Sequence, residues 1–131
     1  MNRALFSSAS DRWATPQHVY EALDAEFHFD FDPCPLDGRV DGTAPLFVRW
    51  QGKRVFCNPP YGPGMEEWLE RGLEADLAVF LIPARTDTRW FHSLVLPNAK
   101  EIRFLKGRLK FGGAPYNAPF PSMVVVFGRQ R

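Results

Sequence analysis

A short apolar run meets a proline-rich turn in the sequence Arg54-Val55-Phe56-Cys57-Asn58-Pro59-Pro60-Tyr61-Gly62. Val55, Phe56 and Cys57 favour a buried β-strand. The two prolines after Asn58 cannot donate hydrogen bonds to a sheet, and each fixes its φ at about −65°. The strand should therefore end at Asn58, whose backbone is pushed towards an extended conformation. We predict a rigid exit from the carboxyl end of a strand, which is where open α/β sheets bind ligands.

The turn carries hydrogen-bond acceptors that suit an amino group. The side-chain oxygen of Asn58 and the carbonyl of Pro59 both accept hydrogen bonds. Aimed at one planar NH2 group, they would take both of its N–H bonds and draw the nitrogen lone pair out of conjugation. Tyr61 would then supply a stacking face for a planar base. The alternative is a plain strand-ending turn, because Asn and Pro are ordinary turn residues.

The bulk composition indicates one globular domain. A length of 131 residues, with 45% hydrophobic and 24% charged residues, is typical of a single soluble domain. We expect residues 1–10 to form a flexible N-terminus and residues 11–131 a single catalytic domain. No apolar run approaches the roughly 20 residues of a membrane helix, and no signal peptide is recognisable, so no membrane partner is expected.

Cysteine and histidine placement indicates neither disulfides nor metal. Cys34 and Cys57 are too few for a disulfide scaffold. Each follows a predicted strand, so we expect them to be reduced neighbours with a structural role. The three histidines have no cysteine or carboxylate at zinc-ligand spacing, so no metal site is predicted.

Charge is distributed unevenly along the chain. Residues 1–80 contain 7 Lys or Arg and 13 Asp or Glu, whereas residues 81–131 contain 9 and 2. The basic second part could form a surface that faces nucleic-acid phosphates. Scattered cations that merely solvate a surface would give the same count.

The pattern of apolar residues predicts the order of helices and strands. Thr15 can cap a helix that begins at Pro16 and ends near Glu26. Further helices are expected over 65–75 and 88–96, and strands over 29–32, 54–57, 77–82, 101–105 and 123–127. The segments 36–53 and 112–121 are long for connectors, which indicates a functional role. We predict a compact single-domain α/β fold with a mostly parallel sheet, in which the last strand pair is antiparallel.

Several segments resemble, in order, the small phage-type (Dam-like) DNA N6-adenine methyltransferases. They are WATP at 13–16, FDPC at 31–34, WQGK at 50–53, FCNPPY at 56–61, LIPARTDTRWF at 81–91, FLKGRLKF at 104–111 and APFPS at 118–122. The resemblance implies a trimmed Rossmann-like fold that uses S-adenosylmethionine to methylate N6 of an adenine flipped out of DNA. It also implies a phage or prophage protein in the cytoplasm of a bacterial host.

Site residues carried over from the resemblance fall into three groups. The catalytic residues would be Asn58, Pro59, Pro60 and Tyr61. The cofactor-binding residues would be Thr15, Pro16, Asp32, Pro33 and Cys34, together with Asn58. The residues that would bind the DNA substrate are Tyr61, Arg85, Arg108 and Phe111.

One departure from the wider methyltransferase pattern leaves alternatives open. Asp32-Pro33-Cys34 matches the end of the first strand, but the glycine-rich turn that normally follows is missing. Asp37 and Asp41 could hold the cofactor ribose instead, or could be turn aspartates beside glycines. A protein glutamine methyltransferase, a cytosine-amine methylase and a non-catalytic DNA-binding relic remain alternatives. Target specificity would depend on the segments 36–53 and 112–121 or on a second protomer.

Overall fold

The computed structural model describes residues 13–34 and 48–128 of the chain. The predicted flexible segment 1–10, most of the segment 36–53, and both Asp37 and Asp41 lie outside the described residues. No helix within the described ranges is long and apolar enough to cross a membrane.

The sheet has four strands: β1 (Arg54–Cys57), β2 (Leu77–Pro83), β3 (Glu101–Phe104) and β4 (Ser122–Gly128). Their order across the sheet is β1-β2-β4-β3. β1 and β2 are parallel, whereas β4 is antiparallel to both β2 and β3. The α/β class is confirmed, but the prediction of a mostly parallel sheet is wrong. The connection 105–121 contains no crossover helix, so the chain returns antiparallel to β3 and β4 lies beside β2.

The predicted strand at 29–32 contributes only one bridge. Phe31 pairs with Val55 in the parallel sense, and the Phe56 N–H donates to the Phe31 carbonyl at 3.0 Å. The preceding helix ends at His28, which adopts a left-handed backbone with φ of 57°. The segment therefore follows the edge of β1 over too short a length to form the fifth strand.

Three helical elements accompany the sheet within residues 13–34 and 48–128. They are α1 (Gln17–Phe27), α2 (Met65–Gly72), and α3, which combines a π-helical turn (Phe91–Val95) with Leu96–Asn98. All three predicted helices are thus confirmed, with ends shifted by a few residues. The Tyr20 ring of α1 packs edge-on against Phe56 at 5.1 Å. Because successive strand residues point to opposite faces, Cys57 and its partner Phe80 face the other side.

The start of α1 differs from the prediction that Thr15 caps it. Pro16 occupies the N-cap position with extended backbone angles, and no side chain caps the helix. The Thr15 hydroxyl instead accepts a hydrogen bond from Asn58 at 3.0 Å. The hydroxyl oxygen that could have capped α1 is therefore bonded to a buried donor 43 residues away in the sequence.

The core is centred on β2 and on the side of the sheet that α2 covers. Every residue of β2 is buried. Trp50 is 0% exposed, and its ring stacks on Phe80 at 6.2 Å. Gly72 of α2 lies directly over the Phe80 ring, since a Cβ atom at residue 72 would lie 2.7 Å from Phe80 Cζ and 3.2 Å from Phe127 Cδ2. The helix can approach the sheet this closely because residue 72 lacks a side chain.

Gly72→Ala should therefore destabilise the protein. The methyl group would overpack a core whose rings have no room to move, at a cost of about 1–3 kcal/mol. Helix propensity would offset at most about 1 kcal/mol of this. Urea unfolding should show a lower midpoint, while Glu70→Ala on the exposed face of α2 should leave the midpoint unchanged. An unchanged midpoint for Gly72→Ala would contradict this packing.

Cys34 and Cys57 are both buried, and neither forms a disulfide. Burial, followed by the nearby Cys34 and Asp32, raises the pKa of the Cys57 thiol well above its ordinary value. The effect of Cys34 on this pKa agrees with the prediction that the two cysteines are neighbours.

The Cys57 thiol should react slowly in the native state. Only the thiolate attacks disulfide reagents, and both burial and the raised pKa suppress it. In a Cys34→Ala background, titration with an aromatic disulfide at about pH 8 should release one equivalent only after unfolding in guanidinium. Rapid release from the native protein would contradict the buried position of Cys57.

Candidate active site

The exit of β1 places Asn58 in a fully hydrogen-bonded, buried position. Its side chain follows the last residue of β1, and the residue is 4% exposed. The amide nitrogen donates to the Trp13 carbonyl oxygen and to Thr15 Oγ1, the latter at 3.0 Å. The Tyr61 hydroxyl donates to Asn58 Oδ1 at 2.7 Å. Both ends of the amide are therefore held.

The partners of Asn58 determine which way the amide points. A backbone carbonyl such as that of Trp13 can only accept, so the amide nitrogen must face it. The reverse orientation would bring two acceptor oxygens together in a buried site. The Asn58 oxygen consequently faces Tyr61.

The Tyr61 hydroxyl has one proton and two nearby acceptors. Besides Asn58 Oδ1, it lies 3.1 Å from the Leu81 carbonyl oxygen of β2. Burial, followed by Cys57 and Cys34, raises the pKa of Tyr61 well above its ordinary value. The hydroxyl therefore remains a donor, and its proton can turn to Leu81 without leaving the tyrosine.

A cavity of about 510 Å³, which we call the aromatic cavity, opens beside Tyr61. Trp13, Phe120 and Tyr61 line it, and the Phe120 ring packs edge-on against the other two rings at 5.3 and 5.5 Å. The exposed Arg85 also lines it, with its guanidinium 5.8 Å from the centroid of the Phe120 ring. Flat walls and one cation suit a planar, electron-rich ligand.

A second cavity of about 690 Å³, which we call the acidic cavity, lies near the start of α1. Its lining includes the carboxylates of Glu21 and Asp32 and the aromatic residues Tyr20 and Phe56. Asp32 Oδ1 accepts the backbone N–H of Cys34 at 2.9 Å, which fixes this carboxylate at the turn after residue 31. Two carboxylates beside aromatic rings suit a ligand that combines positive charge with a flat ring system.

Asn58 lines neither cavity but is hydrogen-bonded to lining residues of both. Its partners Trp13 and Tyr61 line the aromatic cavity, whereas its partner Thr15 lines the acidic cavity. Each cavity lies within the 300–1,000 Å³ range typical of ligand pockets, at about 510 and 690 Å³. The turn 58–61 therefore contributes Tyr61 to the lining of the aromatic cavity, and Asn58 contacts the lining of both cavities through its hydrogen bonds.

The other residues predicted to form the site are distributed as follows. Pro59 is buried and Pro60 is half-buried in the turn itself. Pro16, Pro33 and Cys34 are also buried, and they follow Thr15 and Asp32, which line the acidic cavity. Arg108 is exposed on the connection 105–121. Phe111 is 1% exposed and packs behind Tyr61 and Trp13, at ring distances of 6.3 and 5.4 Å. Phe111 supports the aromatic wall rather than presenting a face to a ligand.

Sequence reasoning missed the part played by Trp13. Its carbonyl oxygen is a main-chain group, which no side-chain motif reveals, although the residue begins the segment 13–16 that carries part of the resemblance. It also missed Glu21, whose position one helical turn after Gln17 gave no functional signal. Gln17 donates to Glu21 at 2.8 Å. Within the described ranges, no group of His, Cys, Asp and Glu side chains is placed to hold a metal ion.

Comparison with known proteins identifies the family. The family model of DNA N-6-adenine-methyltransferase (Dam) matches residues 3–126. A DNA N-6-adenine-methyltransferase from Haemophilus phage HP1 (strain HP1c1) is 30% identical over 139 residues, covering 92% of this chain and 80% of the phage protein. No solved structure matches the chain significantly.

These comparisons define the class: the chain is a DNA methyltransferase. The chain belongs to the DNA N-6-adenine-methyltransferase (Dam) family, and its function is the methylation of adenine in DNA. The resemblance noted from the sequence motifs is thereby confirmed. The glutamine-methylating and non-catalytic alternatives are not favoured.

Proposed function

We propose that the chain transfers a methyl group from S-adenosylmethionine to N6 of adenine at the turn Asn58-Pro59-Pro60-Tyr61. The position of Asn58, bonded to residues of two separate cavities, carries this proposal. A methyl donor and a target base must meet at one point, and Asn58 is hydrogen-bonded to lining residues of both cavities.

The acidic cavity suits S-adenosylmethionine. This cofactor is a nucleoside that carries a positively charged sulfonium and an ammonium group, and when bound it supplies an electrophilic methyl group. The carboxylates of Asp32 and Glu21 complement those charges, and Tyr20 and Phe56 offer aromatic surface to the adenine ring. The cavity volume of about 690 Å³ is ample for a ligand of this size.

The aromatic cavity suits the target base. An adenine inside a duplex cannot reach a buried residue, so the base has to leave the stack, at a cost of a few kcal/mol. Stacking against aromatic side chains returns about 1–3 kcal/mol per base. Arg85 at the cavity would contact the base edge or an adjacent phosphate.

Asn58 and Pro59 act on the amine as hydrogen-bond acceptors. An amide oxygen has two lone pairs, so Asn58 Oδ1 can accept an amine N–H while it keeps the bond from Tyr61. The Tyr61 proton can alternatively turn to the Leu81 carbonyl. As the amine nitrogen gains positive charge, these acceptors stabilise the transition state more than the ground state.

Exposed cations near the two cavities support contact with DNA phosphates. Lys106, Arg108 and Lys110 are exposed or half-exposed on the connection 105–121, which also supplies Gly112 and Phe120 to the two cavities. Such contacts position DNA without reading its sequence. As an enzyme that acts on DNA and resembles a phage protein, the chain would work in the cytoplasm of a bacterial host.

Asn58→Ala should abolish most methylation. The loss of one preorganised acceptor should lower turnover on adenine-containing DNA by about 10²-fold or more. Calorimetry should find the affinity for S-adenosylmethionine changed by no more than about twofold. The matched control is Asn98→Ala, because Asn98 is exposed on α3 and its side chain donates to the Leu94 carbonyl of the same helix at 2.9 Å. Full activity of the Asn58→Ala variant would remove this residue from the mechanism.

Substitutions in the two cavities should separate cofactor binding from DNA binding. Asp32→Asn should weaken S-adenosylmethionine binding by about tenfold and leave DNA binding intact. Arg85→Gln should weaken DNA binding by a similar factor and leave cofactor binding intact. Asp87→Asn, at an exposed residue, and Arg71→Gln, at a half-exposed residue that is ion-paired with Glu74, are controls of matching chemistry. Cofactor binding is measured by calorimetry, and DNA binding by the anisotropy of a labelled oligonucleotide. If the two variants show the reverse pattern, the two cavity assignments must be exchanged.

A further inference from the structure

We propose that the Trp13 carbonyl and the Thr15 hydroxyl position Asn58, and that together they require an amide rather than a carboxylate at residue 58. The inference rests on the proposed role of Asn58 as an acceptor for the target amine. It adds two positioning groups and a reason for the identity of the acceptor residue.

An acceptor role alone does not require asparagine. A carboxylate accepts hydrogen bonds at least as well as an amide oxygen, and its charge would stabilise a developing positive charge more strongly. The presence of asparagine at residue 58 is therefore explained by the hydrogen bonds of its side-chain nitrogen. Its nitrogen donates to Trp13 O and to Thr15 Oγ1 in a site where the residue is 4% exposed.

The Trp13 carbonyl is held in place from several sides. The Gly112 N–H donates to the Ala14 carbonyl at 2.9 Å, in an isolated antiparallel bridge. A Cβ atom at Gly112 would lie 3.2 Å from the Ala14 Cβ, so the two backbones are in close contact. The Trp13 ring is wedged between Phe111 and Phe120, at 5.4 and 5.3 Å. The carbonyl therefore cannot easily turn away from a changed neighbour.

Thr15 is available for the same purpose because it does not cap α1. Pro16 takes the N-cap position, and the Thr15 hydroxyl is 7% exposed and directed at Asn58. The hydroxyl can rotate to donate to a carboxylate, whereas the Trp13 carbonyl cannot donate to anything. A carboxylate at residue 58 would thus oppose one fixed acceptor oxygen in a buried site.

The decisive experiment is a pH profile of Asn58→Asp. Burial and the facing carbonyl should raise the pKa of the introduced carboxyl group. Above that pKa the charged form repels the Trp13 oxygen, and turnover at about pH 8 should be at least about tenfold below that of the parent. Below it the neutral carboxylic acid can donate to Trp13, so the ratio of variant to parent turnover should rise towards about pH 5.5. A ratio near one at about pH 8, or a ratio that stays low and flat down to about pH 5.5, would overturn the proposal.

A second pair of variants keeps the test valid if Asn58→Asp does not fold. Thr15→Val preserves shape and removes the hydroxyl, and Thr15→Ser restores it. Thr15→Val should lower kcat by about three- to tenfold, a larger effect than any change in the KM for S-adenosylmethionine that follows from its place in the lining of the acidic cavity, and Thr15→Ser should recover most of the loss in kcat. A raised KM with unchanged kcat would show that Thr15 contacts cofactor instead, which overturns its positioning role.

The failure of this inference is distinguishable from failure of the proposed function. If Asn58→Ala is inactive while Asn58→Asp is fully active at about pH 8, the acceptor role stands and the positioning role is wrong. If Asn58→Ala is fully active, the proposed mechanism itself is wrong, and the positioning of Asn58 has no catalytic meaning.

Discussion

A buried amide must have both of its ends hydrogen-bonded, and the site is built around that constraint at Asn58. An unpaired buried polar group costs about 1–3 kcal/mol. The chain avoids this cost by bringing a main-chain carbonyl and a hydroxyl from residues 13–15 to the nitrogen, and the Tyr61 hydroxyl to the oxygen. The same bonds that stabilise the fold also fix the direction of the Asn58 side-chain oxygen, so stability and the proposed catalytic geometry share one set of contacts.

The mixed sheet explains how so short a chain places this amide. β2 and β4 form the buried centre, and β1 pairs in parallel with β2, so the exit of β1 lies against a rigid neighbour. Because β1 pairs with β2, the turn after β1 lies beside β2, and the Tyr61 hydroxyl reaches the Leu81 carbonyl of that strand. The connection 105–121 then passes over the same end of the sheet, where Phe111 and Phe120 pack on Tyr61. The aromatic wall is thus assembled from segments far apart in sequence.

Local features of the fold could be predicted from sequence, whereas long-range partners could not. Proline after Asn58, glycine before α2 and the unbroken apolar run of β2 each act within a few residues, and the predicted β1-turn-α2-β2 order is confirmed. The antiparallel pairing of β3 with β4 was predicted, but the apolar run of β4 did not reveal that this strand also lies antiparallel beside β2, so the sheet was predicted as mostly parallel. Thr15 has the chemistry of a helix cap, and only the fold reveals that Asn58 uses its oxygen. Local patterns contain no information about a partner 43 residues away.

The proposed mechanism requires Asn58 to lie between a bound methyl donor and a bound base. It is tested most directly by a crystal structure of the protein with S-adenosylhomocysteine and an oligonucleotide that contains the methylated adenine site. The account predicts the cofactor product in the cavity lined by Asp32 and Tyr20, the flipped adenine in the cavity lined by Tyr61 and Arg85, and the adenine N6 within hydrogen-bonding distance of Asn58 Oδ1. Electron density that places both nucleosides in one cavity, or the adenine amine away from Asn58, would contradict it.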